Sequence, residues 1–554
     1  MIKRTHFFND LVAFGDSVAV QDLVHNQVIT YHELGLRVQE LVQHWAGSKK
    51  LIFLEASQSI DSIVYYLAAL NGGHVIHLMD TLHSEQSRLL IDNYTPNLII
   101  TGEGDVQNNN SQVLDLVPNL GLLLATSGST GVPKFVKLSY ENIASNAESI
   151  AEYLELTASE KAMCHLKLNY SYGISIINSH LAVGATIILT ERSVTEADFW
   201  SQFNDCRATS FAGVPYTFES LNRMQFSLSD YPTLRYVTQA GGKLEKSLVQ
   251  QFAQDCQANN ARFYVMYGQT EAAPRISYLP PDKVFDYPQT IGVAIPGGEL
   301  SVLDDNGHPI LKPDVAGELC YRGPNVMLGY AENIDELKTD ETPEALKTGD
   351  IGCFNKDGMF YIVGRSKRFV KLFGLRINLD GIQSFVKEFY PSSAVAGDDN
   401  GVVVAIEGKL SSKKEEKLIN ALSNEYKVPD SVFSILYYDE LPLMTSGKYN
   451  FKAIMADVKD IQKPTLFDKF KQKVINILEL EVSQWDSILE LYQDVLKDDE
   501  IEDIQTFNEL NADSLSFVTL SVELEQLLGD KLPADWQDKS IAEMNTLFKQ
   551  VQLS

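Results

Sequence analysis

The chain has 554 residues, of which 44% are hydrophobic and 22% are charged, and its net charge is −28. This length allows about three or four domains that each bury a core. Its negative charge disfavours binding to nucleic acid or to an anionic membrane, because like charges repel. No apolar run reaches the length of a membrane span, and Asp10 interrupts the N-terminal segment before a signal core forms. We therefore expect a soluble, cytoplasmic protein.

From the N-terminus to about residue 360, short apolar runs alternate with longer amphipathic segments. Residues 51–54 and 185–189 are typical of buried strands, whereas 140–155 and 243–257 have the length and spacing of helices. This alternation predicts an α/β domain with parallel sheets covered by helices. Ligands of such sheets bind at the carboxyl ends of the strands.

The segment after the apolar run 122–125 is the strongest functional signal in the chain. Glycines let a loop turn its backbone amides toward an anion, and hydroxyls and an ammonium supply further donors. It is not the P-loop of GTPases, because its lysine follows a proline and precedes no Ser or Thr. A flexible Gly/Ser surface loop is the alternative. The loop reads Thr126-Ser127-Gly128-Ser129-Thr130-Gly131-Val132-Pro133-Lys134.

The spacing of apolar residues along the chain changes twice in the C-terminal third. A smaller α/β unit is predicted from residue 365 to about 455, and 456–482 has the spacing of a connecting helix. From 483 to 554 apolar residues recur only at helical spacing, which predicts a small helical bundle. We therefore predict a large α/β N-terminal domain (1–364), a small α/β lobe (365–455), a helical linker (456–482) and an all-α domain (483–554).

Short motifs follow the loop in a fixed order, and the series resembles the adenylate-forming superfamily. That superfamily contains acyl-CoA synthetases, luciferase and the adenylation domains of non-ribosomal peptide synthetases. The resemblance covers residues 1 to about 455 and implies attack of a carboxylate on the α-phosphorus of ATP, which gives an acyl-adenylate and pyrophosphate. The motifs are Tyr267-Gly268-Gln269-Thr270-Glu271, Gly317-Glu318-Leu319-Cys320-Tyr321-Arg322-Gly323, Thr348-Gly349-Asp350, Gly364-Arg365 and Thr445-Ser446-Gly447-Lys448.

The resemblance implies roles for single residues, although each has a structural alternative when considered alone. Glu271 would ligate Mg²⁺, Thr270 would reach the α-phosphate, and Lys448 would be the catalytic cation between carboxylate and phosphate. Tyr267 would stack on adenine, and Asp350 would bind the ribose. The residues assigned to ATP or AMP are Thr126, Ser127, Gly128, Ser129, Thr130, Gly131, Lys134, Gly241, Gly242, Lys243, Tyr267, Gly268, Asp350 and Arg365.

Two further positions carry roles only through resemblance. Members of this superfamily swing the C-terminal lobe about a hinge three positions after the glycine of the Gly-Arg motif, which is Lys367 here; an ordinary exposed lysine is the alternative. Residues 510–515, Leu-Asn-Ala-Asp-Ser-Leu, resemble the modification site of acyl and peptidyl carrier proteins, which are four-helix bundles. Ser514 would receive 4′-phosphopantetheine from a phosphopantetheinyl transferase. The alternative is a plain helix cap.

The class of substrate is predicted mainly from the acidic residues that one segment lacks. Amino-acid-activating relatives hold the substrate ammonium with an Asp, but residues 166–190 contain no Asp or Glu. An acyl, aryl or hydroxy acid is therefore favoured over an α-amino acid. Aromatic core packing is the alternative to a pocket role for the residues assigned to it. These pocket residues are Tyr170, Tyr172, Pro215 and Tyr216.

The sequence thus predicts an AMP-forming ligase that adenylates a small carboxylic acid and loads it on its own carrier domain. A CoA ligase with a vestigial tail and a non-catalytic carrier scaffold are the alternatives. Because the chain has no H-H-x-x-x-D-G condensation motif and no G-x-S-x-G elbow, a separate downstream enzyme would accept the acyl group.

Overall fold

The computed structural model describes residues 6–126, 134–304, 306–365, 368–372, 375–398, 401–426, 428–444, 448–460, 487–496, 498, 501–510, 520–521, 524, 532 and 536–552. The chain divides into two compact units, residues 1–366 with 445–448 and residues 367–444 with 449–554. The predicted α/β fold class is confirmed. The predicted domain boundaries stay predictions.

The first unit consists of helices packed on mixed sheets. Its described strands are β1 (Val18–Asp22), β2 (Gln27–Thr30), β3 (Leu51–Glu55), β4 (Val75–Met79), β5 (Leu98–Ile100), β6 (Val106–Asn108), β7 (Leu120–Thr126), β8 (Lys134–Ser139), β9 (Lys161–Cys164), β10 (Thr186–Leu189), β11 (Ser210–Gly213), β12 (Tyr236–Gln239), β13 (Arg262–Gly268), β14 (Arg275–Leu279), β15 (Val293–Ala294), β16 (Glu299–Leu303), β17 (Gly317–Arg322), β18 (Tyr330–Ala331), β19 (Leu346–Phe354) and β20 (Phe360–Arg365). Its described α-helices are α1 (Tyr31–His44), α2 (Ile60–Asn71), α3 (Glu85–Tyr94), α4 (Tyr140–Tyr153), α5 (Ser171–Leu181), α6 (Ala197–Asp205), α7 (Pro215–Arg223) and α8 (Lys246–Ala258).

Three sheets are present in the described part of this unit. Sheet A has the strand order β15-β14-β13-β12-β11-β9-β10-β1-β2, sheet B has β18-β8-β7-β4-β3-β5-β6, and sheet C has β16-β17-β19-β20. The prediction of parallel sheets is correct for the centres of sheets A and B. It is wrong for their edges and for sheet C, whose strand pairs are all antiparallel. Strand pairs such as β13 with β14 and β7 with β8 are antiparallel. Short connections join these pairs, whereas parallel pairing requires a long crossover.

Local sequence explains why the predicted elements form. The first four residues of strand β3 are apolar, and Leu51, Ile52, Phe53 and Leu54 are each at most 1% exposed. Helix α4 begins at a capping box, in which the Ser139 side chain accepts from the Asn142 amide (3.0 Å). The helices predicted at 140–155 and 243–257 are observed as α4 and α8, with ends that differ by a few residues.

The second unit contains a smaller α/β part and a helical part. The core of the α/β part is built from residues such as Ile382, Val395, Val404 and Leu422. Its described elements are β21 (Phe369–Leu372), β22 (Leu375–Asn378), α9 (Leu379–Phe389), β23 (Ser393–Asp398), β24 (Gly401–Glu407), α10 (Ser412–Tyr426), β25 (Phe433–Tyr438) and α11 (Phe451–Asp460).

The C-terminal segment has a core of its own. Helices α12 (Ile488–Leu496) and α13 (Ile541–Gln552) are described, and Leu491, Tyr492, Trp536 and Met544 are buried together. Most of the predicted linker and residues 511–519, which include Ser514, lie outside the described residues. Among the described residues, no helix is long and apolar enough to span a membrane.

We predict that Phe203→Ala lowers the free energy of unfolding by about 3–5 kcal/mol, because it leaves a cavity in an aromatic cluster. The Phe203 ring is 0% exposed and lies 5.7 Å from both Trp200 and Tyr231. Urea unfolding followed by tryptophan fluorescence measures the loss. Phe285→Ala is the matched control, since Phe285 is 42% exposed. An equal loss in both variants would contradict this account of the core.

Candidate active site

The predicted phosphate loop connects two paired strands. Thr126 is the last residue of β7 and Lys134 the first of β8, and the two are directly opposite each other in the antiparallel ladder. Ser127, Gly128, Ser129, Thr130 and Gly131, together with the Thr126 side chain, lie outside the described residues. The loop therefore spans the end of a strand hairpin at the edge of the parallel part of sheet B.

Lys134 and Glu271 both contact the side chain of Tyr330. The Lys134 Nζ lies 3.3 Å from the centroid of the Tyr330 ring, and the Tyr330 hydroxyl donates to Glu271 Oε1 (2.8 Å). Burial and the neighbouring Glu271 carboxylate raise the pKa of Tyr330, so its hydroxyl remains a donor at neutral pH. The predicted phosphate lysine and the predicted metal carboxylate are therefore close together, although 137 positions separate them.

The turn that carries Thr270 and Glu271 is held by Asn325. The Asn325 amide is 1% exposed and donates to the backbone oxygens of Ala272 (2.6 Å) and Arg275 (2.8 Å). Tyr321, from the Gly317–Gly323 motif, donates in turn to Asn325 Oδ1 (2.8 Å). These bonds fix the backbone between β13 and β14. The Thr270 hydroxyl donates to Ser171 Oγ (3.4 Å), at the start of α5.

Tyr267, the first residue of the Tyr267–Glu271 motif, contacts Asp350, the predicted ribose carboxylate. The Tyr267 hydroxyl donates to Asp350 Oδ2 (2.5 Å), and Asp350 is 6% exposed. Thr348 Oγ1 accepts from the Asp350 amide (3.1 Å). Arg365 is opposite Asp350 in the β19–β20 ladder, but its side chain lies outside the described residues. The predicted adenine and ribose residues are therefore side by side.

Glycine is required at two of the predicted nucleotide positions. A Cβ on Gly268 would lie 2.0 Å from the Pro274 backbone oxygen. Gly241 has φ near +90°, and a Cβ there would lie 2.8 Å from the Tyr170 hydroxyl and 3.8 Å from Lys448 Cε. Gly242 lies close to Pro215, and the neighbouring Lys243 side chain is exposed.

A small buried cavity of about 20 Å³ lies beside the start of α5. Tyr172 lines it, and its hydroxyl forms a hydrogen bond with Thr238 Oγ1 (2.8 Å). Tyr170, Pro215 and Tyr216 are not among the described residues that line it, and the Tyr216 ring lies 5.7 Å from the Arg223 guanidinium carbon. Of the predicted pocket residues, the cavity thus contains Tyr172.

The donor set around Glu271 fits a magnesium ion that is shared with a substrate. Mg²⁺ is usually bound through one or two carboxylates and the phosphates of a nucleotide. Glu271 offers such a carboxylate next to Lys134. Within the part of the chain that the structure describes, no group of three or more His, Cys, Asp or Glu residues could hold a metal by itself.

Comparisons with known proteins agree with this geometry. Residues 119–331 match the family model for AMP-binding enzymes, and residues 486–545 match the model for the phosphopantetheine attachment site. The chain therefore contains an AMP-binding domain and a phosphopantetheine attachment domain, and it has the fold of adenylate-forming enzymes. The recognition made from its motifs is confirmed, as are the AMP-forming ligase class and the C-terminal phosphopantetheine attachment site.

Relatives and solved structures cover most of this AMP-binding enzyme. An oxalate–CoA ligase of Arabidopsis thaliana is 28% identical over 65% of this chain and 74% of that protein. The o-succinylbenzoate CoA synthetase of Bacillus subtilis with its acyl-adenylate superposes with a TM-score of 0.68 and 18% identity, over 83% of this chain and 98% of that one. The same synthetase with ATP and a magnesium ion has a TM-score of 0.67 and 20% identity, over 81% and 99%.

Tyr330 and Asn325 are site residues that sequence reasoning missed. Neither belongs to one of the motifs, and each contacts a residue more than 45 positions away. Only their position just after the Gly317–Gly323 motif could have drawn attention to them. Lys367 and Ser514 lie outside the described residues, so their roles stay predictions.

We predict that Tyr267→Phe weakens AMP binding and lowers the free energy of unfolding by about 1–3 kcal/mol, because a buried carboxylate loses a donor. Calorimetric titration with AMP and urea unfolding measure the two effects. Tyr287→Phe is the matched control, since the Tyr287 hydroxyl also donates to an aspartate (Asp357, 2.8 Å) but at an exposed site. Unchanged AMP affinity in Tyr267→Phe would contradict the placement of the nucleotide.

Proposed function

We propose that this enzyme adenylates a small carboxylic acid and transfers the acyl group to a phosphopantetheine thiol on Ser514 of its own chain. One observation carries the adenylation half of the proposal. Residues 267–271 include the end of strand β13 in sheet A. Their side chains contact Asp350 in sheet C and, through Tyr330, reach Lys134 in sheet B. Groups suited to a ribose, to phosphates and to a magnesium ion therefore surround one short segment.

The chemistry requires that two anions meet. At 4 Å, the repulsion of two unit charges is about 1 kcal/mol in water and about 4 kcal/mol near a protein surface. Lys134, which lies over the Tyr330 ring, would neutralise the departing β- and γ-phosphates, and Mg²⁺ bound through Glu271 would add further positive charge. Lys448, whose Cε lies 3.8 Å from a Cβ built on Gly241, would neutralise the attacking carboxylate and the α-phosphate.

The bonds then change in two steps. A carboxylate oxygen attacks the α-phosphorus, and the bond from this phosphorus to the bridging oxygen breaks as pyrophosphate leaves with the electron pair. For the second step, a phosphopantetheine arm on Ser514 would supply the thiol that accepts the acyl group, with AMP as the leaving group. Because a tether holds the thiol near the adenylate at roughly millimolar effective concentration, free CoA is not required.

The proposed substrate is an acyl, aryl or hydroxy acid. The relatives named above act on oxalate and o-succinylbenzoate, both of which are carboxylic acids without an amino group. This agrees with the absence of Asp and Glu from residues 166–190. We place the enzyme in the cytoplasm, where ATP and a phosphopantetheinyl transferase are available, and a separate acyl-accepting enzyme would take up the product.

A ligase that uses free CoA is the second candidate, and the CoA ligase names of the relatives favour it. The two candidates differ in the acceptor thiol only. Against a vestigial tail stands the match of residues 486–545 to the phosphopantetheine attachment site.

We predict that Lys448→Ala lowers acid-dependent ATP–pyrophosphate exchange by about 10²–10³-fold, because a cation that stabilises the transition state is lost. Lys409→Ala is the control, since this lysine is also exposed but lies outside the site. Exchange that survives in Lys448→Ala at the wild-type rate would refute the catalytic role.

We also predict that Ser514→Ala keeps the exchange activity and loses covalent loading of the acid. The protein is coexpressed with a phosphopantetheinyl transferase, incubated with ATP and acid, and measured by intact-protein mass spectrometry. Ser521→Ala, which changes another serine of the same segment, should load normally. Acyl mass still found on Ser514→Ala would defeat the carrier assignment, and CoA-thioester formation without loading would favour the second candidate.

A further inference from the structure

Arg275 is a buried arginine next to the proposed site of chemistry. It is 2% exposed and is the first residue of β14, directly opposite Gly268 in the β13–β14 ladder. Its backbone is fixed on both sides, because its amide donates to Asn146 Oδ1 (3.4 Å) and its carbonyl accepts from Asn325 Nδ2 (2.8 Å). The side chain therefore starts from a fixed point five residues after Thr270.

The guanidinium has no anion beside it. Its Cζ lies 4.9 Å from the centroid of the Tyr172 ring, its Nε has no hydrogen-bond partner, and no carboxylate of the described residues pairs with it. Burial raises the pKa of the nearby Tyr153 hydroxyl to about 12 although Arg275 opposes the shift, so this neighbour is neutral. Arginine is rarely buried unless it is paired. Among the described residues, the Arg275 guanidinium thus has no counter-ion.

Arg275 lines the small cavity described above. Among the described residues around this cavity, it is the one side chain that is charged at neutral pH. Burial lowers the pKa of His180 to about 4, so that this imidazole is neutral, and the other polar groups are hydroxyls such as those of Ser175 and Thr238. The volume of about 20 Å³ corresponds to roughly two water-sized groups, which matches the two oxygens of a carboxylate.

A short series of contacts leads from this arginine to the proposed site of adenylation. The Tyr172 ring that covers Arg275 lies 6.2 Å from the Tyr170 ring, and the Tyr170 hydroxyl lies 2.8 Å from a Cβ built on Gly241. A Cβ built on Gly241 also lies 3.8 Å from Lys448 Cε. Contacts through Tyr172, Tyr170 and Gly241 therefore link the two cations.

From this arrangement we infer that Arg275 selects the substrate by binding a second anionic group, and that the acid is a dicarboxylic acid. This inference rests on the proposed function. One carboxylate reacts with ATP next to Lys448, and the other forms a charge-assisted, bidentate pair with the Arg275 guanidinium inside the cavity. A monocarboxylic acid of the same length leaves the guanidinium unpaired, so the site discriminates against it.

ATP–pyrophosphate exchange with pairs of acids of equal length tests this inference on the full-length protein. The pairs are acetate and oxalate, propionate and malonate, butyrate and succinate, and valerate and glutarate. We expect kcat/KM for the dicarboxylic acid to exceed that of its partner by about 100-fold or more in at least one pair. Arg275→Met should remove this preference, and Arg275→Lys should retain part of it. Arg262→Met is the control, because Arg262 is exposed and paired with Glu155 (2.6 Å).

The outcomes separate the two levels of the proposal. Exchange supported by monocarboxylic acids and not by dicarboxylic acids overturns the inference and leaves the proposed function intact. An unchanged preference in Arg275→Met, in a variant whose thermal unfolding shows a folded protein, also overturns it. If Arg275→Met does not fold, the wild-type panel together with Arg275→Lys decides. Exchange with no carboxylic acid at all overturns the proposed function and the inference with it.

Discussion

Joining a carboxylate to ATP means that two anions must approach each other inside a protein whose net charge is −28. Cationic side chains must therefore offset this repulsion at the site of reaction. In the first unit, two such side chains lie beside aromatic rings. Lys134 lies over the ring of Tyr330, and Arg275 lies over the ring of Tyr172. A ring face stabilises a cation without cancelling its charge, as a carboxylate would. Arg275, which no carboxylate of the described residues pairs with, therefore keeps its charge for an anion that arrives with the substrates.

The positions of these groups depend on a segment where three sheets come together. Strand β13 ends at Gly268, where any side chain would collide with the Pro274 backbone. Beyond it, Asn325 holds the turn through two backbone oxygens. Tyr267 and Tyr330 then connect the ends of this segment to Asp350 and Lys134. Because buried hydrogen bonds determine these placements, the site is organised before substrates bind, which is the property that electrostatic catalysis requires.

Most of the secondary-structure elements, and all of the motifs, could be identified from the sequence. Apolar runs located strands such as β3 and β10, and helical spacing located α4 and α8. The sequence did not indicate strand direction at the sheet edges, because an apolar run looks the same in parallel and antiparallel strands. Tyr330 and Arg275 could not be predicted, since their roles depend on neighbours that are distant in the chain. Tyr172 is buried in the core and also lines the cavity, and its role in a substrate pocket stays a prediction.

The central claim is that an acid becomes reactive by forming a bond to the α-phosphorus of ATP. Transfer of isotope measures this directly. The enzyme is supplied with ATP and a carboxylic acid that supports exchange, labelled with ¹⁸O in its carboxylate, and the nucleotide products are analysed by mass spectrometry. One ¹⁸O atom per turnover in AMP is the predicted result. Label in inorganic phosphate, with ADP as the nucleotide product, would contradict it.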